Sequence, residues 1–295
     1  MQGVLSIALA FIMFAVALGL RPSDFTFVRT HTRSVIIGTV VQLAGLPVLT
    51  LGLISAIEPS PGIALGMLVV ACCPGGNVSN LLTRISKGNA AYSVALTLIS
   101  SIFAVALLPF AILFWTGLYS PTANLLEEIN IDRVRFILAT SVTLLIPLTA
   151  GLFTAHYRPQ LAAKLGRIFM PIAIGILIIL IVVGVSTNKH LILDYGTETL
   201  PLVIIHNALA FTLGALIGYA FLKDRLKARA LTFEVGIQNT GLGLLIVLSQ
   251  LGGIGSAAII VASWSIWHLF AGFLLATLFR ALNKSNEQQT AASIK

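Results

Sequence analysis

Length, composition and charge rule out most soluble classes together. The 295 residues are 57% hydrophobic and 9% charged, with a mean hydropathy of +0.99, whereas a soluble domain carries about 25% charged residues. The formal charge of +8 has no basic–aromatic patch beside it, so it points to cytoplasmic loops facing anionic lipid and not to nucleic acid. The fold class these numbers indicate is an all-α polytopic membrane protein.

In chain order, apolar runs of about 20 residues mark nine spans: 4–20, 34–56, 62–86, 88–118, 134–157, 161–187, 199–222, 226–251 and 255–282. The first run lacks a basic n-region and leads straight into RPSDF (21–25), so it reads as a retained helix and not a cleaved signal. Adjacent Cys72 and Cys73 lie in the third run without CxxC spacing and read as buried, inert thiols. Placing the loop after the first span in the cytoplasm puts fifteen Lys and Arg inside and leaves Arg133, Arg135 and Lys189 outside. That bias sets the N-terminus outside and the C-terminus in the cytoplasm of an inner or plasma membrane. Residues 1–282 form one transmembrane domain, and 283–295 (NKSNEQQTAASIK) read as a polar, disordered tail.

Two spans are interrupted. CCPGGNVSN (72–80) breaks the third near 74–79, and FEVGIQNTGLG (233–243) breaks the eighth near 236–241. Each is followed by a long continuous span. The broken spans lie five apart and so run in opposite directions, which is the layout of an inverted-topology repeat. On this count the first repeat has only four spans. Irregular backbone at membrane depth survives only where protein buries it or where it lines a cavity.

Glu234 leads the candidate residues. A carboxylate at that depth costs at least about 2.5 kcal/mol, and no Lys or Arg falls mid-span to pair with it. A bound cation is therefore its natural partner. Unwinding at Gly236 would free the carbonyls of Val235 and Ile237 to join oxygens of Glu234 and Gln238, as hard cations prefer. The first break offers Asn77, Ser79 and Asn80. On the next span Ser93 and Thr97 share a face at i, i+4, and Gln42 lies mid-span in the second helix. The half-helices restarting near Asn77–Ser79 and Asn239–Thr240 aim positive ends at the midplane, which suits an anionic group. His268 is a candidate for the same cavity, and His206 a weaker one.

These residues carry a resemblance. RPSDF, CCPGGNVSN, KGNAAYSVALT (87–97), HNALA (206–210), FEVGIQNTGLG and SIWH (265–268) together resemble the bile acid:sodium symporter family over nearly the whole chain. The resemblance implies two inverted repeats forming a core (34–118 and 199–282), in which two broken helices cross, and a panel (4–20 and 134–187). Nine spans would be the family's usual ten without the first helix. It further implies two sodium sites: Ser79, Asn80, Ser93, Thr97 and Glu234 at one, and Gln42, Glu234, Val235, Ile237 and Gln238 at the other. The substrate would sit near Gly76, Asn77, Asn239, Thr240 and His268. Asn77 and Val78 stand where the family usually has small residues, and Leu269 where Asn is common, so bile acid itself is not carried over as the substrate.

The resulting expectation is a sodium-coupled symporter of an organic anion, bile-acid-like or a small carboxylate, working by alternating access with two Na+ ions. The alternatives are a proton-coupled carrier in which Glu234 titrates, and a sodium-independent ligand-binding receptor. HExxH, GxSxG, paired membrane aspartates and a Cys–His pair are all missing, so enzymatic chemistry has no support here. Oligomeric state is not readable from the sequence.

Overall fold

The computed structural model describes residues 2–19, 24–187 and 189–293. Among them every regular element is helical. In chain order these are α1 (Gln2–Ala17), α2 (Asp24–Thr30), α3 (Thr32–Val40), α4 (Leu46–Ile57), α5 (Pro61–Cys72), α6 (Asn77–Ile85) and α7 (Ala90–Gly117). Then follow α8 (Ser120–Glu128), α9 (Arg133–Tyr157), α10 (Pro159–Thr187), α11 (Lys189–Ile217), α12 (Arg225–Gly236), α13 (Thr240–Gln250) and α14 (Gly255–Ser293). Of the RPSDF motif, Arg21, Pro22 and Ser23 lie outside the described residues.

Among the described residues, six helical stretches are long and apolar enough to cross a membrane: Thr32–Ile57, Ala90–Gly117, Arg133–Tyr157, Pro159–Leu180, Gly196–Leu222 and Gly255–Asn283. The first is α3 and α4 joined by a π-helical turn at Val41–Gly45. Pro47, near the start of α4, explains the turn. It has no N–H for the Leu43 carbonyl, and the ladder shifts register so that the Leu46 N–H reaches the carbonyl of Val41. Gln42 sits in this turn and is buried.

Three shorter apolar helices cover 3–17, 61–72 and 240–250. At 12 and 11 residues, α5 and α13 rise only about 16–18 Å, little more than half of a hydrocarbon core about 30 Å thick. Each meets a partner end to end, α5 with α6 and α12 with α13, across the breaks expected from the sequence. The four half-helices occupy the middle of the molecule. In α5 every residue from Gly62 to Cys72 is buried, as is every residue of α12 from Ala228 to Gly236.

Around that centre the packing falls into two groups. Helix α1 lies against α9 and α10. Helices α4, α5, α6, α7, α11, α12 and α14 pack among themselves, and the groups meet where α1 and α9 touch α13 and where α9 lies against α7. The outer helices turn large apolar side chains outward. On α9 these include Val134, Leu138, Val142, Leu145 and Ile146, and on α10 Ile168, Ile172, Ile178 and Ile179. An apolar surface of that extent suits lipid and not water.

The last helix continues to Ser293, where the sequence reading expects a disordered tail from 283. Its residues there include Ala, Gln, Glu and Lys, all good helix formers, and extending an existing helix needs no new nucleus.

Candidate functional site

The two breaks meet each other. The first runs through Cys73, Pro74 and Gly75 to Gly76 in extended backbone, and the second through Ile237, Gln238 and Asn239. Gly75 and Gln238 form an antiparallel bridge. The Gly76 N–H donates to the Ile237 carbonyl at 2.9 Å and the Asn239 N–H to the Pro74 carbonyl at 2.8 Å. The two glycines leave little room for a side chain. A Cβ on Gly75 would overlap the Glu234 carboxylate, and one on Gly76 would sit 3.2 Å from the Gln238 carbonyl.

Breaking a helix frees carbonyls that lipid cannot satisfy, and three amides take them up. Gln42 Nε2 donates to the Cys73 carbonyl at 3.1 Å, Gln238 Nε2 to that of Val235 at 2.7 Å, and Asn207 Nδ2 to that of Gly236 at 2.8 Å. Asn207 is a residue that the sequence reading did not select. Its only signal is an amide mid-span within HNALA.

Glu234 is fully buried. Its partners are hydroxyls: Ser79 donates at 2.7 Å, and Thr97 lies 3.0 Å from both carboxylate oxygens. No cationic side chain is paired with it among the described residues. Proton counting exposes a shortage. Thr97 has one proton, yet within bonding distance are both Glu234 oxygens, the Ser93 carbonyl at 3.1 Å and Asn80 Oδ1 at 3.4 Å. The Ser79 hydroxyl oxygen lies 3.5 Å away. This is a cage with more acceptors than protons, so a positive charge would balance it.

The structure brings Ser79, Asn80, Thr97 and Glu234 together. Ser93 is one step removed, because its hydroxyl accepts from Thr83 at 3.2 Å. In the second expected set, Gln42 Nε2 donates to Gln238 Oε1 at 2.8 Å, and Gln42 Oε1 is buried with no partner. Val235 and Ile237 each contribute a main-chain carbonyl at the break, already accepting one hydrogen bond. No hydrogen bond joins Glu234 to either glutamine among the described residues. Both sets consist of oxygens, the donor type that hard cations take.

Of the residues expected near the substrate, Asn77 opens, with Asn80, onto a cavity of about 270 Å³ shared with Gly19, Leu81, Arg84, Val94 and Thr97. Asn77 begins α6, which has no side-chain cap, whereas Asn239 Oδ1 caps α13 by accepting from the Leu242 N–H at 3.2 Å. Thr240 is buried just after it. His268 is not drawn into this group by hydrogen bonding: it is buried and its Nδ1 donates to the Trp264 carbonyl one turn back on α14. His206 is also internal, 2.7 Å from the Thr50 hydroxyl and edge-on to Trp264. Cys72 and Cys73 are buried and free.

A family model described as the sodium bile acid symporter family matches residues 6–195. The chain belongs to that family. It is therefore a membrane transporter and not an enzyme. The relatives extend the match to the second half of the chain. An uncharacterized sodium-dependent transporter, YocS of Bacillus subtilis, is 31% identical over 98% of this chain and 87% of its own length. The probable chloroplastic sodium/metabolite cotransporter BASS1 of Arabidopsis thaliana is 28% identical over 93% of this chain and 66% of its own. The human ileal sodium/bile acid cotransporter is 28% identical over 83% of this chain and 68% of its own.

Proposed function

We infer that this family member couples the inward sodium gradient to uptake of an organic anion. The observation that carries the reading is the Glu234 carboxylate, fully buried and facing only neutral hydroxyls. A sodium ion supplies the missing charge. Ser79, Asn80, Thr97 and Glu234, with Ser93 behind them, would hold one ion. The unpartnered Gln42 Oε1, with Gln238, Glu234 and the Val235 and Ile237 carbonyls, would hold a second. The relatives named as sodium-dependent or sodium-coupled support this choice of ion.

Holding ions at the crossing would tie the two broken helices together. The uncapped start of α6 then faces the Asn77 cavity as a fixed set of N–H donors for a polar group of the bound anion. Ion and anion affinities would be linked through one coupling free energy, typically about 1–3 kcal/mol and reciprocal by thermodynamic necessity. Transport would follow from the core group of helices rocking against the α1–α9–α10 panel in nine spans, with the N-terminus outside and the C-terminus in the cytoplasm of the plasma or inner membrane. Counting nine treats α1 and each broken pair as one crossing.

The test is uptake by reconstituted protein with choline replacing sodium at fixed pH. Wild-type uptake should collapse in choline, and Glu234→Ala should show none in either salt. Uptake that persists in choline and follows a pH gradient would assign the coupling to protons on Glu234 instead, and wild-type sodium-driven uptake by Glu234→Ala would end both readings.

A further inference from the structure

We propose that Arg84 recognises the anionic group of the cargo, and that the cargo is a small, elongated carboxylate with a second polar group at its far end. This rests on the symport reading above and specifies its substrate.

Asn77, Asn80, Leu81 and Arg84 stand at i, i+3, i+4 and i+7 on α6 and all line the one cavity, as helical spacing requires of residues sharing a face. A basic residue at the end of a span is ordinarily just a topological charge. Arg84 differs in facing the same cavity as the amides and as Thr97 of the carboxylate cage. Its neighbour Arg229 makes the contrast. The Arg229 guanidinium is taken up by the Ser86 carbonyl at 2.9 Å and Asn283 Oδ1 at 2.8 Å, whereas no side chain pairs with that of Arg84 among the described residues. It is exposed and free to present its fork to a carboxylate, the geometry guanidinium matches best.

Distances then limit the cargo. A rise of 1.5 Å per residue puts Asn80 about 6 Å and Asn77 about 10 Å deeper than Arg84. Between them Leu81 and Gly19 offer no polar atom beyond main chain. A ligand filling this space has a carboxylate at one end, a short apolar middle, and a hydroxyl, carbonyl or amide reaching Asn80 or Asn77. The volume of about 270 Å³ lies below the roughly 300–1,000 Å³ typical of drug-sized ligands, which favours a small cargo over a steroid skeleton here.

The experiment uses full-length protein in nanodiscs and three probes: ω-hydroxy carboxylates of about three to eight carbons, their neutral primary amides, and taurocholate. Binding is read as thermal shift and by titration in sodium. The wild type should bind at least one hydroxy acid at least tenfold better than its amide. Arg84→Gln should reduce that acid-over-amide preference to about onefold, with Arg84→Lys between. The shift given by sodium alone, which reports folding and the ion site, should survive in both variants. Three results would overturn the assignment: an unchanged preference in Arg84→Gln, binding of taurocholate only, or binding of no hydroxy acid. If the wild type shows no shift with sodium alone, it is the symport reading that fails. A sodium shift with an unchanged acid-over-amide preference defeats only the role given to Arg84.

Discussion

Helix α12 carries two buried ionic side chains five residues apart, Arg229 and Glu234, and they are treated in opposite ways. Arg229 is met by this protein's own atoms: the Ser86 carbonyl closing α6, Asn283 on α14, and the Phe279 ring 5.2 Å from the guanidinium carbon, with its Nε left buried and unpartnered. Its charge is spread over neutral acceptors and a π face, and the result is a clasp joining three helices at one end of the bundle. Glu234 is given hydroxyls that have too few protons for the oxygens around them. Arg229 meets two acceptors and a ring within the protein, whereas on the reading proposed above a bound cation balances Glu234. Burial marks neither as functional; what separates them is whether the surrounding atoms complete the charge.

That distinction can be broken most severely at Gly75. Adding one methyl group in Gly75→Ala places a carbon on the Glu234 carboxylate with the main chain pinned on both sides, so sodium-driven uptake should fall by two orders of magnitude or more and the thermal shift given by sodium should vanish. Wild-type sodium response in this variant would mean that the carboxylate does not need its observed position. Arg229→Met should act on stability alone. It strands the Ser86 carbonyl and Asn283, at a cost of about 2–3 kcal/mol, and it should lower the melting temperature equally in sodium and in choline. Loss of the sodium shift there would erase the contrast between the two residues. The finest test compares two hydroxyls one turn apart. Thr97→Val removes a group touching both carboxylate oxygens, and half-maximal sodium activation should rise about tenfold. Ser93→Ala removes one that faces Thr83 and should raise it only two- to threefold. Equal effects would place Ser93 inside the cage.

Much of this arrangement is legible before any coordinates. Pro74 with Gly75 and Gly76, and Gly236 within an apolar run, announce interruptions because they weaken the helix where lipid tolerates no loose backbone. Glu234 announces itself by cost. The features that escape the sequence depend on which atoms end up opposite one another across long separations. Asn207 looks like any membrane amide until the Gly236 carbonyl is placed before it. Arg229 reads as one of several basic residues in a loop, yet burial and the reach of α14 turn it inward. His268 is a cavity candidate from its motif, and the fold adds a bond from its Nδ1 to the Trp264 carbonyl on its own helix. The π-helical turn carrying Gln42 is half legible: a proline such as Pro47 bends a helix, but nothing in the sequence says that the register slip aims an amide at the Cys73 carbonyl.

The joint between the two breaks is made by peptide groups: Gly76 to Ile237, and Asn239 to Pro74. Such a seam is indifferent to the side chains projecting from it. On the reading proposed above, position 77, which opens onto the cavity beside this seam, can therefore be rewritten to suit another cargo while the fastening of one half to the other stays intact, and a designer seeking new selectivity should begin there and leave the glycines and the capping Asn239 alone.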